Sequence, residues 1–135
     1  TTTSPAVRAA VAFYAPHDLR PDARYGRAAE RVLTRFFGAP RQARPAAAAL
    51  ASPLAHVDGD DAPMLLVHGT ADRVVPVDQS RRMRAALARR GVPVRYVELP
   101  GARHGFRIFA RRAAHRTATC TSLAFLRAAL VTPPG

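Results

Sequence analysis

"LLVHGTADRVVP", residues 65–76, is an apolar run that breaks at Gly69 and then delivers a single carboxylate, Asp72. A short continuous apolar run opened by Pro63 fits a central strand of a parallel sheet, which is covered on both faces and needs no polar alternation. A second strand-like run, "VPVRYVEL" at 92–99, has Pro93 near its start, which suits an edge or a strand entrance. It leads into "GARHGF", where His104 stands between Gly101 and Gly105. Between the two runs, Asp78 is placed to cap a helix from about Gln79 to Arg90. That helix carries Ser80, Met83 and Leu87 on one face and arginines on the other, and Gly91 stops it.

Working outward, "VRAAVAFYAP" at 7–16 reads as a further buried strand stopped by Pro16. "PDARYGRAAERVLTRFFGAP" reads as a helix with Asp22 as N-cap and Gly38 as stop. Its inner stripe is Tyr25, Ala29, Val32 and Phe36, widened by Leu33 and Phe37. An Ala- and Pro-rich connection with one short helix follows, then the acidic turn of Asp58, Asp60 and Asp61. A last helix over about 107–130 has Leu123, Leu126 and Leu130 as its inner face. Strands alternating with helices imply βαβ units, so the expected class is α/β, in three layers, with parallel strands flanked by helices. No internal repeat or linker divides residues 1–135, which form one structural unit.

In a parallel sheet every strand points the same way, and neighbours lie about 4.8 Å apart. The loops leaving two adjacent strands therefore share one edge, where open α/β sheets place their ligands. Asp72 follows one strand and His104 the next, so their side chains can meet there. A carboxylate bonded to one imidazole nitrogen fixes the tautomer and stabilises the cation formed when the other takes a proton. On spacing alone, two unrelated surface polar residues remain the competing reading. His68 is read as a hydrogen-bonded packing residue, His17 as a candidate for the site rim, and His115 as exposed. No His, Cys or carboxylate set has metal-ligand spacing, and neither a metal nor a cofactor is expected.

The 135 residues suffice for one domain with a real core. The formal charge of +12 comes entirely from arginine, since the chain has no lysine. Those arginines are scattered over presumed helix faces without interleaved aromatics, so a solvated basic surface is expected and no specific nucleic-acid site. Cys120 is the only cysteine, which excludes an internal disulfide, and its helical context suggests a buried thiol. No run is long and apolar enough to span a bilayer. "TTTSPAVRAA" lacks the order of a signal peptide, which leaves the cytoplasm as default; any export signal would lie upstream.

The stretch "SPLAHVDGDDAPMLLVHGTADRVVPVDQSRRMRAALARRGVPVRYVELPGARHGF" resembles the C-terminal part of α/β-hydrolase-fold serine hydrolases, in their esterase/lipase-like and prolyl-oligopeptidase-like (S9) branches. In that family a strand ending in H-G-x-x-D supplies the acid of a catalytic triad and a G-x-x-H-G-F turn supplies the histidine. The resemblance assigns those roles to Asp72 and His104. "AVAFYAPHDL" likewise resembles the strand that follows the nucleophile's helix. The family's nucleophile sits in a G-x-S-x-G elbow earlier in the chain. None of the four serines here (Ser4, Ser52, Ser80, Ser122) is in such an elbow, and neither is Cys120. The resemblance thus implies the C-terminal half of a hydrolase acting on a small-molecule ester or a peptide. It also implies a cap or lid excursion over 20–55, in which Tyr25, Phe36 and Phe37 are candidates for an acyl pocket as well as for core packing. The first strand would keep an exposed edge, open to self-association or to an N-terminal half.

Overall fold

A computed structural model describes residues 7–106 and 112–131. Three strands, β1 (Ala10–Phe13), β2 (Met64–Gly69) and β3 (Val94–Leu99), form one sheet in the order β1-β2-β3, parallel throughout. Ala10 pairs with Met64, and Met64 in turn with Val94. The helices are α1 (Arg27–Phe37), α2 (Pro45–Leu50), α3 (Asp78–Arg89) and α4 (Arg112–Val131), with short 3₁₀ turns at Arg41–Ala43, Pro53–His56 and His104–Phe106.

β2 is central, and its unbroken apolar run follows from that place. Leu65 and Val67 face one layer, with Leu99, Ala102, Phe106 and Ala118 of α4. Leu66 faces the other, with Met83 and Leu87 of α3 and Val92. All three strand residues are fully buried. Each such side chain contributes roughly 2–3 kcal/mol through burial, so the layers on both faces depend on this one strand.

Three helix readings are corrected. α1 begins at Arg27 behind Gly26, not behind Asp22. The Gly26 amide donates to Val74 O at 3.0 Å, and a Cβ at Gly26 would overlap the carbonyl oxygen of Arg73. The chain crosses another backbone there in extended conformation, so the helix starts only beyond it. Its inner face is Ala29 and Leu33, while Val32 and Phe36 are exposed. Glu30 pairs with Arg41, a buried guanidinium 2.5 Å away that donates to the carbonyls of Leu19, Arg20 and Ala23.

In α4 the buried positions are Ala118 and Ser122, with Ala114 and Phe125 packed against the same core; Leu123 and Leu130 face outward. Residues 107–111 of the expected last helix lie outside the described residues. In α3, Asp78 is the first helical residue and makes no side-chain capping bond, so its role as cap is not realised. Cys120 is exposed on α4, not buried. β1 is shorter than the expected 7–16, because Tyr14 turns out of the strand at φ 40°.

Candidate functional site

The loops leaving β2 and β3 are sewn together at the C-terminal edge of the sheet. Thr70 N–H donates to Leu99 O at 3.1 Å and Ala71 N–H to Ala102 O at 3.0 Å. Gly101 N–H donates back to Thr70 Oγ1 at 2.8 Å. The approach is possible because residue 69 is glycine; a Cβ there would overlap Ala102 O. Asp72 and His104 then sit on facing loops whose spacing is set by backbone bonds.

Both carboxylate oxygens of Asp72 are committed. Oδ1 accepts the amides of Val74 and Val75 at 2.8 and 2.9 Å, and Oδ2 accepts from His104 Nδ1 at 2.7 Å. The Asp72 side chain is fully buried, whereas that of His104 is one-third exposed. With Nδ1 donating, the neutral ring carries its lone pair on Nε2, which has no hydrogen-bond partner among the described residues. An imidazole fixed in this way can accept a proton at Nε2 and return it.

The ring's surroundings are strained and apolar. Gly101 and Gly105 have φ of 67° and 73°, and Phe106 adopts 52°. Tyr14, also left-handed, lays its ring edge-to-face on His104 at 4.6 Å and on Phe106 at 4.8 Å. Non-glycine residues in this region cost about 1–3 kcal/mol each and cluster at functional sites. Beside His104 opens a cavity of about 360 Å³, walled by Tyr14 and Pro16 after β1, by Tyr25, Ala29, Val32 and Leu33, and by Val74 and Val75. Phe36 and Phe37 do not line it; their rings contact each other at 4.9 Å.

None of the other histidines borders that cavity. His17 is buried, not at a rim, and its Nε2 has no hydrogen-bond partner. Burial foremost, with nearby His68 second, pushes its pKa down to about 4. His68 is fully buried at the end of β2, bonded to Ser80 Oγ at 2.7 Å and Val75 O at 2.8 Å. His115 is exposed. Of the serines, Ser52, Ser80 and Ser122 are buried in structural hydrogen bonds, and Ser4 lies outside the described residues. No group of His, Cys, Asp or Glu among the described residues is arranged to hold a metal.

Sequence reasoning missed the polar base of the excursion. Asp18 is fully buried between Arg20 at 2.8 Å and Arg82 at 2.5 Å, and the hydrogen bonds from Arg20 foremost pull its pKa down to about 2. Gln79 Oε1 accepts the amides of His17 and Asp18. The contacts of Arg82 and Gln79 span 61 residues or more and leave no local pattern.

The parallel sheet with helices on both faces is of the α/β-hydrolase type, the fold of the esterases it superposes on. The BD-FAE family matches residues 1–87, and the chain belongs to that family. Asp72 falls inside the matched span and His104 beyond it. A probable carboxylic ester hydrolase of Mycobacterium tuberculosis, LipM, is 34% identical over 113 residues, covering 81% of this chain and 26% of that protein. Esterase 2 of Thermogutta terrifontis, in a structure phosphonylated by sarin, superposes with a TM-score of 0.73 at 26% identity over 95% of this chain and 46% of its own. A puromycin-hydrolyzing peptidase of Mycobacterium tuberculosis superposes at 0.67 with 29% identity, over 93% of this chain and 19% of its own. The chain spans 14–26% of the length of the curated esterases it matches. Among the described residues no helix is long and apolar enough to cross a membrane.

Proposed function

We propose that Asp72 and His104 are the acid and the base of a serine hydrolase acting on carboxylic esters through an acyl-enzyme. The supporting observation is the 2.7 Å bond from His104 Nδ1 to a buried carboxylate, on a ring that borders an apolar cavity. His104 Nε2 takes the proton of the attacking serine and returns it to the leaving alcohol, and Asp72 holds the tautomer and balances the imidazolium. The serine and the oxyanion donors come from outside these 135 residues. The apolar cavity takes a hydrocarbon part of the ester, with α1, in the 20–55 excursion, acting as one wall of a cap.

Hydrolysis of short p-nitrophenyl esters and labelling by a fluorophosphonate test this. The 135 residues alone are expected to show neither, because a base without its nucleophile has nothing to activate. Turnover at ordinary enzyme rates that vanishes in His104→Ala would place the nucleophile inside the chain, with Ser4 the first to replace.

The likeness to the puromycin-hydrolyzing peptidase favours a second reading, an S9-type peptidase with the same pair; hydrolysis of aminoacyl-amide substrates in preference to esters would select it. A third is a non-catalytic fragment. β1 is an outer strand of the described sheet, with Phe13 partly exposed, and an open edge of this kind pairs with other strands. The isolated chain is therefore expected to self-associate in light scattering, and a monodisperse monomer would refute that.

A further inference from the structure

We infer that His68 is a positioning residue of this site: a neutral imidazole beneath the acid loop that holds Asp72 and leaves its Oδ2 to His104. The inference rests on the catalytic reading of Asp72 and His104. His68 precedes Gly69 at the end of β2 and is fully buried. Its Nε2 lies 2.8 Å from Val75 O, which only accepts, so Nε2 carries the proton. Nδ1 is then the acceptor, and the buried Ser80 hydroxyl donates to it at 2.7 Å. The two contacts fix one tautomer.

That tautomer grips the acid loop from below. Val75 gives its carbonyl to His68 and its amide to Asp72 Oδ1. Loss of the carbonyl anchor loosens the residue whose amide orients the carboxylate. The same His68 Nε2 stands 3.5 Å from Asp72 Oδ2, beyond a proper hydrogen bond, while His104 Nδ1 reaches that oxygen at 2.7 Å. A protonated His68 would compete for Oδ2 as a second cation. Burial, the largest influence, lowers its pKa, and His104 acts in the same direction, against the Val75 bond and Asp72. His17 is nearby and itself held neutral. Glu98, opposite His68 on β3, is bound by Arg81 and Tyr96. The acid loop thus faces one histidine whose burial disfavours a charge and one that bonds its carboxylate directly.

Exchange of the His104 Nδ1 proton, followed by NMR on the chain as it exists, separates positioning from simple packing. In His68→Ala that proton is expected to exchange about tenfold faster, because the bond from His104 Nδ1 to Asp72 Oδ2 weakens by about the worth of one hydrogen bond. His68→Gln, which restores a donor toward Val75 O, is expected to recover the slow rate. A His68→Ala chain that is less stable yet keeps the original rate would show that His68 only packs. Asp72→Asn is the control: if it too leaves the rate unchanged, the Asp72–His104 pairing itself fails, a different result from His68 alone having no effect. Should His68→Ala not fold, the unaltered chain decides through the ¹⁵N shifts of the His68 ring. A neutral ring protonated at Nε2 is expected, and a proton on Nδ1, or a doubly protonated ring at neutral pH, overturns the inference.

Discussion

Mild acid is expected to weaken the fold through His17, a residue outside the chemistry. Its imidazole is 4% exposed, its Nε2 is unpartnered, and its pKa in the fold is about 4, against 6.5 for a free histidine. Between those values the unfolded chain binds a proton that the folded chain refuses, so stability rises with pH across the window and falls as pH drops through it. At about 1.4 kcal/mol per unit, the full loss approaches about 3 kcal/mol, of which about 2 kcal/mol is already gone at pH 5. His68, also lowered, adds in the same direction. Asp18, lowered to about 2, contributes only below its unfolded value of 3.8. Against a domain stability of about 5–15 kcal/mol, a loss of 2 is readily measured. Urea unfolding at pH 7.5 and pH 5.0, at a concentration where light scattering shows no association, gives the difference. His17→Met keeps a similar volume and removes the titrating group, so its loss between the two pH values is expected to be smaller by about 2 kcal/mol. An equal loss in both proteins would refute the assignment of acid sensitivity to His17.

Arg41→Met strips the carbonyls of Leu19, Arg20 and Ala23 and leaves Glu30 unpaired; it is expected to cost about 3 kcal/mol in denaturant unfolding. A cost within 0.5 kcal/mol, the range of ordinary surface substitutions, would show that the excursion does not depend on it. Gly69→Ala places a methyl against Ala102 O and is expected to push the two site loops apart. The His104 Nδ1–H resonance should then be lost even where the far-UV spectrum shows the fold retained, and an unchanged resonance would contradict the close approach.

The parts of this molecule legible in the sequence are those governed by local pattern. β2 is covered on both faces and so reads as an unbroken apolar run, and Asp72 and His104 are brought to one edge by parallel topology alone. What the sequence hid is set by distant contacts. α1 starts at Arg27 because Gly26 must cross the backbone at Arg73 and Val74. Its inner face is Ala29 and Leu33, and it leaves out Val32 and Phe36, which helical spacing counts in. α4 buries Ala118 and Ser122 and turns the larger Leu123 and Leu130 outward, which side-chain size does not foretell. His68 was legible as a buried, bonded residue, but its place under Asp72 depends on the curl of the acid loop, which no spacing reveals.

The most direct test of the Asp72–His104 assignment is the tautomer of the neutral His104 ring, read from ¹⁵N imidazole shifts in the unaltered chain and in Asp72→Asn. The account predicts the proton on Nδ1 in the unaltered chain. In Asp72→Asn it predicts transfer to Nε2, because an asparagine whose oxygen stays on the Val74 and Val75 amides turns its NH₂ toward the ring. A ring already protonated at Nε2 in the unaltered chain, or one indifferent to Asp72→Asn, would contradict it.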